Sequence, residues 1–231
     1  MPGKHAVRLI WLAAALGGIA FACGGCGGGD GGPPPPDAHA LTEEGWLLYA
    51  GADLAGAEAR FSEAVALDST YADGWNGRGW TRAQLSRLDE AVSDLARANA
   101  AGLAGAEAWA CLAAVYRDLS FTDEPPLSLQ LELALAAADS ALARDRLFRF
   151  TRSPGVDSLD LHLLRAQCLA GLGASRFAEA QAEADFLSPA NGLDPGEPST
   201  WVVAGETFAA YAPALLRLIQ EIEETVGGDL P

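Results

Sequence analysis

Residues 75–98, WNGRGWTRAQLSRLDEAVSDLARA, repeat the pattern of residues 41–64, LTEEGWLLYAGADLAGAEARFSEA, at a distance of 34 positions. In both stretches a bulky residue precedes a glycine by four positions. An alanine, a large apolar residue and a second alanine then follow the glycine at the same spacings in the two stretches. The matched residues are Leu41, Gly45, Ala57, Phe61 and Ala64, then Trp75, Gly79, Ala91, Leu95 and Ala98. A fixed period of this length predicts antiparallel helix pairs that stack into one array.

These residues resemble the tetratricopeptide repeat family. The resemblance implies an all-α, right-handed superhelical array of about four helical hairpins, and it extends over residues 38–188. The first two repeats match well, whereas the third carries an insert at Phe121–Leu127 and the fourth needs two extra residues in its turn. The predicted repeats are residues 38–71, 72–105, 106–145 and 159–188.

Residues 189–231 follow the repeats as a turn-rich connector and a predicted capping helix. We expect Ser199 or Thr200 to cap a helix that begins at Trp201 and restarts at Pro213. An apolar stripe at helical spacing is then expected to cover the last repeat, because a solenoid needs a terminal cap. The stripe consists of Leu215, Leu218, Ile219, Ile222 and Val226.

The first 37 residues are typical of a targeting segment and a tether. Residues 1–22 have a cationic start and a short apolar core, which predicts a signal peptide. Small residues before Cys23 resemble the bacterial lipobox, so Cys23 is the predicted lipidation site; an ordinary signal peptide and the rival acceptor Cys26 are the alternatives. The Gly/Pro-rich residues 23–37 predict a tether. Gly24 after the cysteine favours the outer membrane, facing the periplasm.

The acidic composition excludes whole classes of function. The net charge is −16, and a nucleic-acid partner would require clustered cations. His39 and His162 have no serine, cysteine or aspartate at a catalytic spacing, and no metal or cofactor motif is present. We therefore predict no enzyme, no cofactor and no metal site. Cys111 and Cys168 are expected to be buried free thiols, with a disulfide as the alternative.

Charged residues at two positions of the repeat change sign together. Where one position is acidic the other is basic, which predicts that the two face each other between the helices of a hairpin. Chance among charged helix faces is the alternative. The pairs are Glu44 with Arg60, Arg78 with Asp94, and Arg165 with Glu183, whereas the third repeat has Leu112 and Ala137.

The family resemblance also implies a concave groove lined by the first helix of each repeat. Carried onto this sequence, the groove positions are Thr42, Trp46, Tyr49, Asp73, Asn76, Trp80, Glu107, Arg117 and Gln167. We single out Trp46, Tyr49, Asn76, Trp80 and Arg117 as a protein-binding groove with an aromatic floor for an extended peptide. The alternative is that Trp46 and Trp80 pack between neighbouring helices.

Residues 144–152, RDRLFRFTR, hold the basic cluster of the chain, and residues 147–152 alternate imperfectly as in a short extended segment. We expect its arginines to pair with the chain's own carboxylates, with an anion-reading patch as the alternative.

Two functions remain open. The first is a non-enzymatic, lipid-anchored scaffold that binds another envelope protein or an extended peptide. The alternative is an accessory lipoprotein that holds a glycan or peptide on aromatic residues for a transporter.

Overall fold

The computed structural model describes residues 36–121, 128–153 and 155–226. The predicted signal peptide, the lipidation site Cys23, nearly all of the tether, residues 122–127 of the insert and the end of the chain lie outside these residues. Across the described ranges, no helix is long and apolar enough to cross a bilayer.

The described chain is an all-α array of four helical hairpins and a terminal helix. Each hairpin packs against the next, so one hydrophobic core runs through the array. The helices are α1 (Ala38–Ala50), α2 (Leu54–Leu67), α3 (Ala72–Gln84), α4 (Leu88–Ala100), α5 (Glu107–Ser120), α6 (Ser128–Arg144), α7 (Ser158–Gly171), α8 (Phe177–Leu187) and α9 (Tyr211–Val226).

Glycines let the helices approach closely in the first two repeats. A Cβ atom placed on Gly45 of α1 or on Gly77 of α3 would lie 2.6 or 2.2 Å from the ring of Phe61, and one on Gly79 would lie 2.6 Å from Leu95. Phe61 and Leu95 are fully buried. The small residue of the repeat is therefore required by the large apolar residue that fills the space beside it.

The turns inside the first two hairpins share one backbone feature. Ala52 and Ser86, which lie at the same position of the repeat, have φ angles of 61° and 59°. Left-handed backbone is unusual for residues with a Cβ atom, and it costs free energy that packing must offset. The repeat is thus preserved in the turn geometry as well as in the side chains.

The connector after α8 differs from its prediction. No helix begins at Trp201: a 3₁₀ turn spans Pro198–Thr200, and strands β1 (Val202–Val203) and β2 (Glu206–Thr207) form a hairpin before α9. The two-residue turn of the hairpin, Ala204 and Gly205, has positive φ at both positions, as a type I′ turn requires. Four residues of the predicted α9 stripe are buried and cover the last repeat, namely Leu215, Leu218, Ile219 and Ile222, whereas the fifth, Val226, is exposed.

Candidate functional site

The first half of the predicted groove is not an open surface. Trp46 is 3% exposed, Trp80 is fully buried and Asn76 is 1% exposed, while Tyr49 is partly buried. The prediction of an accessible aromatic floor at these residues is therefore wrong. The physical reason is that another part of the same chain lies against them.

The segment that covers this wall connects α6 to α7, and we call its residues 148–153 and 155–157 the strap. Phe148, Phe150 and Val156 of the strap are all at most 2% exposed. The strap folds back on itself, because the Phe150 amide donates to the Val156 carbonyl at 2.9 Å and Arg149 forms an antiparallel bridge with Asp157. Of the extended segment predicted at residues 147–152, only residues 148–150 are extended, around the bridge at Arg149, whereas residues 147, 151 and 152 lie in turns.

Phe150 is the residue that occupies the groove. Its ring stacks on Trp80, with centroids 4.4 Å apart, and meets the ring of Trp46 edge-on at 5.5 Å. Such pairs add about 0.5–1.5 kcal/mol each to the free energy gained by burying the rings. The two tryptophans thus hold an aromatic side chain of an extended segment, but the segment belongs to their own chain.

A second contact fixes the strap at its other end. The Arg152 guanidinium donates to the Glu43 carboxylate from both terminal nitrogens, and its Nη1–Oε2 distance is 2.9 Å. The same guanidinium lies 5.8 Å from the centroid of the Trp46 ring. Hydrogen bonding from Arg152 holds the pKa of Glu43 below its usual range, although partial burial opposes this.

Polar contacts below the strap hold the wall in place. Trp46 donates from its indole nitrogen to Asp73 at 3.1 Å, and the Asn76 amide donates to the other oxygen of that carboxylate at 3.2 Å. Burial raises the pKa of Tyr49 above its usual range. This first half of the wall is therefore a packed polar and aromatic interior, which a peptide could enter only after the strap had left.

The charge pairs inside the hairpins are formed. Arg78 holds Asp94 with two hydrogen bonds of 2.8 and 2.9 Å, and Asp94 also accepts from Arg82 at 2.7 Å. The Asp94 side chain is only 2% exposed. In the first repeat Arg60 contacts Glu44 at 3.2 Å, but both side chains are about half exposed, so this pair contributes less.

The fourth repeat adds a partner that the sequence did not indicate. Arg165 donates to Glu183 at 2.8 Å, and Nδ1 of His162 lies 2.7 Å from the other oxygen of that carboxylate. Burial raises the pKa of Glu183, but His162 and Arg165 together outweigh it, so the net effect is a lowered pKa. The ring of Phe186 packs against the ring of His162, with the two centroids 4.3 Å apart. This arrangement is an ion-paired cluster of the hairpin.

The arginines of residues 144–152 divide between structural contacts and solvent. Arg152 pairs with Glu43 as described, and Arg144 donates to the Ser140 carbonyl and lies over the Trp109 ring at 4.8 Å. Arg146 and Arg149 are exposed and have no ion pair with any described residue. The expected pairing with the chain's own carboxylates therefore holds for Arg152 and not, among the described residues, for Arg144, Arg146 or Arg149.

No described residue covers the second half of the predicted groove. Arg117 donates to Gln167 at 3.3 Å and to Asp118 at 2.9 Å, and together they line a cleft of about 480 Å³ between α5, α7 and α9. Phe121 and Leu216 contribute side chains that are 53% and 51% exposed. The sequence indicated Arg117 and Gln167 as groove residues, but it did not indicate that α9 would supply the opposite wall.

Cys111 and Cys168 are both buried free thiols, and no disulfide joins them. Burial raises the pKa of Cys111 well above its usual value and that of Cys168 to about 12. Neither thiol belongs to the cleft. Among the described residues, no group of three or more histidine, cysteine or acidic side chains could hold a metal ion.

Comparison with known proteins shows the fold. No family model and no curated protein matches the chain. Among solved structures, YrrB, a TPR protein with an unusual peptide-binding site, aligns over 81% of this chain and 87% of its own, with a TM-score of 0.56 and 22% identity.

Two further structures support the same fold. The thermophilic TPR protein TTC0263 of Thermus thermophilus aligns over 83% of this chain and 84% of its own, with a TM-score of 0.53 and 18% identity. PilW, a type IV pilus biogenesis factor, aligns over 68% of this chain and 64% of its own, with a TM-score of 0.51 and 22% identity. At these identities the likeness concerns architecture alone: the chain has the tetratricopeptide-repeat fold.

Proposed function

We propose that the protein is a non-enzymatic, lipid-anchored interaction scaffold of the bacterial cell envelope, which binds an extended segment of a partner protein in the cleft between α5, α7 and α9. One observation carries this proposal. The strap fills the first half of the concave wall, and the second half, with Arg117 and Gln167, is left open beside exposed apolar side chains. Interaction with protein partners is the general role that the fold supports.

The chemistry of the cleft suits a peptide better than a flat protein face. Its volume of about 480 Å³ accommodates a few side chains, and Phe121 and Leu216 offer apolar contact. Arg117 supplies hydrogen-bond donors, while Asp118 and Glu223 supply carboxylates at the rim. A partner segment with one apolar anchor and both donor and acceptor groups would satisfy this lining.

The anchor and its location rest on the sequence. Cys23 follows small residues at the end of a short apolar run, and a Gly/Pro-rich tether separates it from α1. An acylated Cys23 would hold the repeat domain at a membrane surface. Gly24 next to the cysteine favours the outer membrane, on its periplasmic side.

The alternative function is glycan binding for a transporter, and the tryptophans that would have stacked on a sugar are not accessible. A sugar ring would stack on an exposed tryptophan, and Trp46 and Trp80 are both buried against Phe150. Peptide binding by an accessory protein would use the same cleft. The scaffold is therefore the better supported of the two.

A cross-linking pull-down from native envelopes tests the binding surface. Leu216→Asp places a charge in the cleft and should abolish capture of the partner. Leu47→Asp, on α1 and 74% exposed, is the matched control and should leave capture unchanged. If Leu216→Asp keeps full capture while circular dichroism stays helical, the cleft is not the binding surface.

The anchor has a separate test. Cys23→Ala should remove the acyl label and release the protein from the membrane fraction. Retention of the label by this variant would contradict lipidation at Cys23, whatever the result at the cleft.

A further inference from the structure

A second cavity lies between α6, α7 and α8. Its volume is about 820 Å³, and its lining is mostly apolar. It is lined by Leu142, Ala143, Arg146, Leu147, His162 and Phe186. Leu147 is 85% exposed and Phe186 is 57% exposed, so two large apolar side chains stand at an open concave site. Cavities in this size range, apolar with few polar groups, are typical of small-molecule sites.

The cavity coincides with a departure from the repeat pattern. The residue four positions before the small residue of the first helix is Leu41, Trp75 and Trp109 in the first three repeats, and His162 in the fourth. The cavities beside Trp75 and Trp109 measure about 420 and 310 Å³. Among the three repeats with a ring at this position, the fourth has the smallest ring, the His162 imidazole, and the largest neighbouring cavity.

The rim of the cavity carries a cationic side chain, Arg146, that is not part of an ion pair with any described residue. The Arg146 side chain is exposed and has no ion pair with a described residue. Glu183, at the base of the cavity wall, is held by Arg165 and His162, and no ion pair joins Arg146 to the neighbouring Asp145, which accepts from the Leu147 amide at 3.0 Å. Arg146 therefore offers an unshared positive charge next to apolar walls.

We propose that this cavity binds a single-chain amphipathic carboxylate, of the long-chain fatty acid class. The chain would lie against Leu142, Leu147 and Phe186, where it removes apolar surface from water. The carboxylate would accept hydrogen bonds from Arg146, whose forked guanidinium matches its geometry. The site is distinct from the cleft that binds the partner segment, and it does not depend on that binding.

Photolabelling of the purified full-length protein in a non-ionic detergent tests this site. The probe is palmitate with a diazirine near the end of its chain, and labelled peptides are mapped by mass spectrometry. We expect adducts on the peptides that contain Leu142, Leu147 and Phe186. Ala143→Trp, which fills the cavity from an exposed position, should reduce this labelling roughly tenfold.

Two comparisons make the result specific. Ala136→Trp is the matched control, because Ala136 is exposed on the same helix and lines the neighbouring cavity beside Trp109; it should leave the labelling unchanged. The methyl ester of the probe should label the wild type less than the acid by roughly two- to fivefold, the range of an exposed ion pair, and Arg146→Gln should remove this difference.

The proposal is overturned by either of two outcomes. Equal labelling of wild type, Ala143→Trp and Ala136→Trp would mean that the probe binds elsewhere. Saturable labelling by a diazirine phosphatidylglycerol but not by the acid would assign the cavity to membrane lipid instead of a free carboxylate.

Discussion

Phe150 stacks on Trp80 with ring centroids 4.4 Å apart and an interplanar angle of 23°, although one residue belongs to the strap before α7 and the other to α3. This contact occupies the part of the concave face that the sequence predicted as a peptide groove. The groove of this protein is therefore divided into a half that the chain fills itself and a half that remains open beside Arg117.

Phe150→Ala should destabilise the array. Removing a fully buried phenylalanine costs ~3–5 kcal/mol of the free energy of unfolding, because apolar contacts are lost and a cavity remains. Tryptophan emission should also shift to longer wavelength as Trp46 and Trp80 meet water. Urea denaturation followed by fluorescence measures both effects. Phe121→Ala, at a half-exposed position, is the control, and equal losses for the two variants would contradict the burial of Phe150.

Asp94→Ala should cost more than Arg78→Leu. Asp94 accepts from both Arg78 and Arg82, so its loss leaves two guanidinium groups without their shared partner and should cost ~3–5 kcal/mol. Arg78→Leu leaves Asp94 with Arg82, and we expect ~1–3 kcal/mol. Glu44→Ala removes an exposed pair and should cost under ~1 kcal/mol. Chemical denaturation ranks the three, and the reverse order for the two core variants would exclude the shared pairing.

The contact between Glu43 and Arg152 should make the attachment of the strap sensitive to acid. The pKa of Glu43 is lowered in the folded state, so its stabilising contribution is complete above the usual value of 4.5 and is lost as the pH falls through the lowered pKa. Urea midpoints measured across this range should fall more steeply for the wild type than for Glu43→Gln. The control is Glu206→Gln, in the exposed β-hairpin. If the urea midpoints of wild type and Glu43→Gln change with pH in parallel, the Glu43–Arg152 contact does not contribute to the pH dependence of stability.

The thiols of Cys111 and Cys168 should be protected in the native state. Burial raises the pKa of both, so at neutral pH they are protonated and shielded from reagents. Iodoacetamide should label their peptides only in denaturant, as peptide mass spectrometry would show. Labelling in native buffer at the rate of a free cysteine would indicate that the space between α5 and α7 is open.

The hairpins could be predicted because their signals repeat. Gly45 and Gly79 lie at one position of the repeat and must be small for the same reason, and the swapped charges of Arg78 and Asp94 report one local contact within a hairpin. Such interactions connect residues less than one repeat apart. Period and charge in the sequence are therefore sufficient to find them.

The filled groove could not be predicted in this way. The strap lies outside every repeat, and its contact with Trp46 joins the first repeat to the connection between the third and the fourth. The alternation around Phe148 and Phe150 indicated an extended segment, but nothing in its spacing indicated which surface it covers. The hairpin after Trp201 was missed for a related reason, because turn residues such as Ala204 and Gly205 compete with helical periodicity over a short stretch.

The most direct measurement for the filled groove is a cross-link between the strap and α1. Glu43→Cys with Arg152→Cys places two thiols at positions whose native side chains hydrogen-bond. Glu44→Cys with Arg152→Cys is the matched control, because Glu44 contacts Arg60 of α2 instead. We predict that a short bis-maleimide, whose spacer replaces the length of the two native side chains, cross-links the two thiols of the first variant, that the domain stays folded, and that the control is cross-linked much less. Equal or absent cross-linking in both variants, with the fold intact, would contradict the occupation of the groove by the chain's own strap.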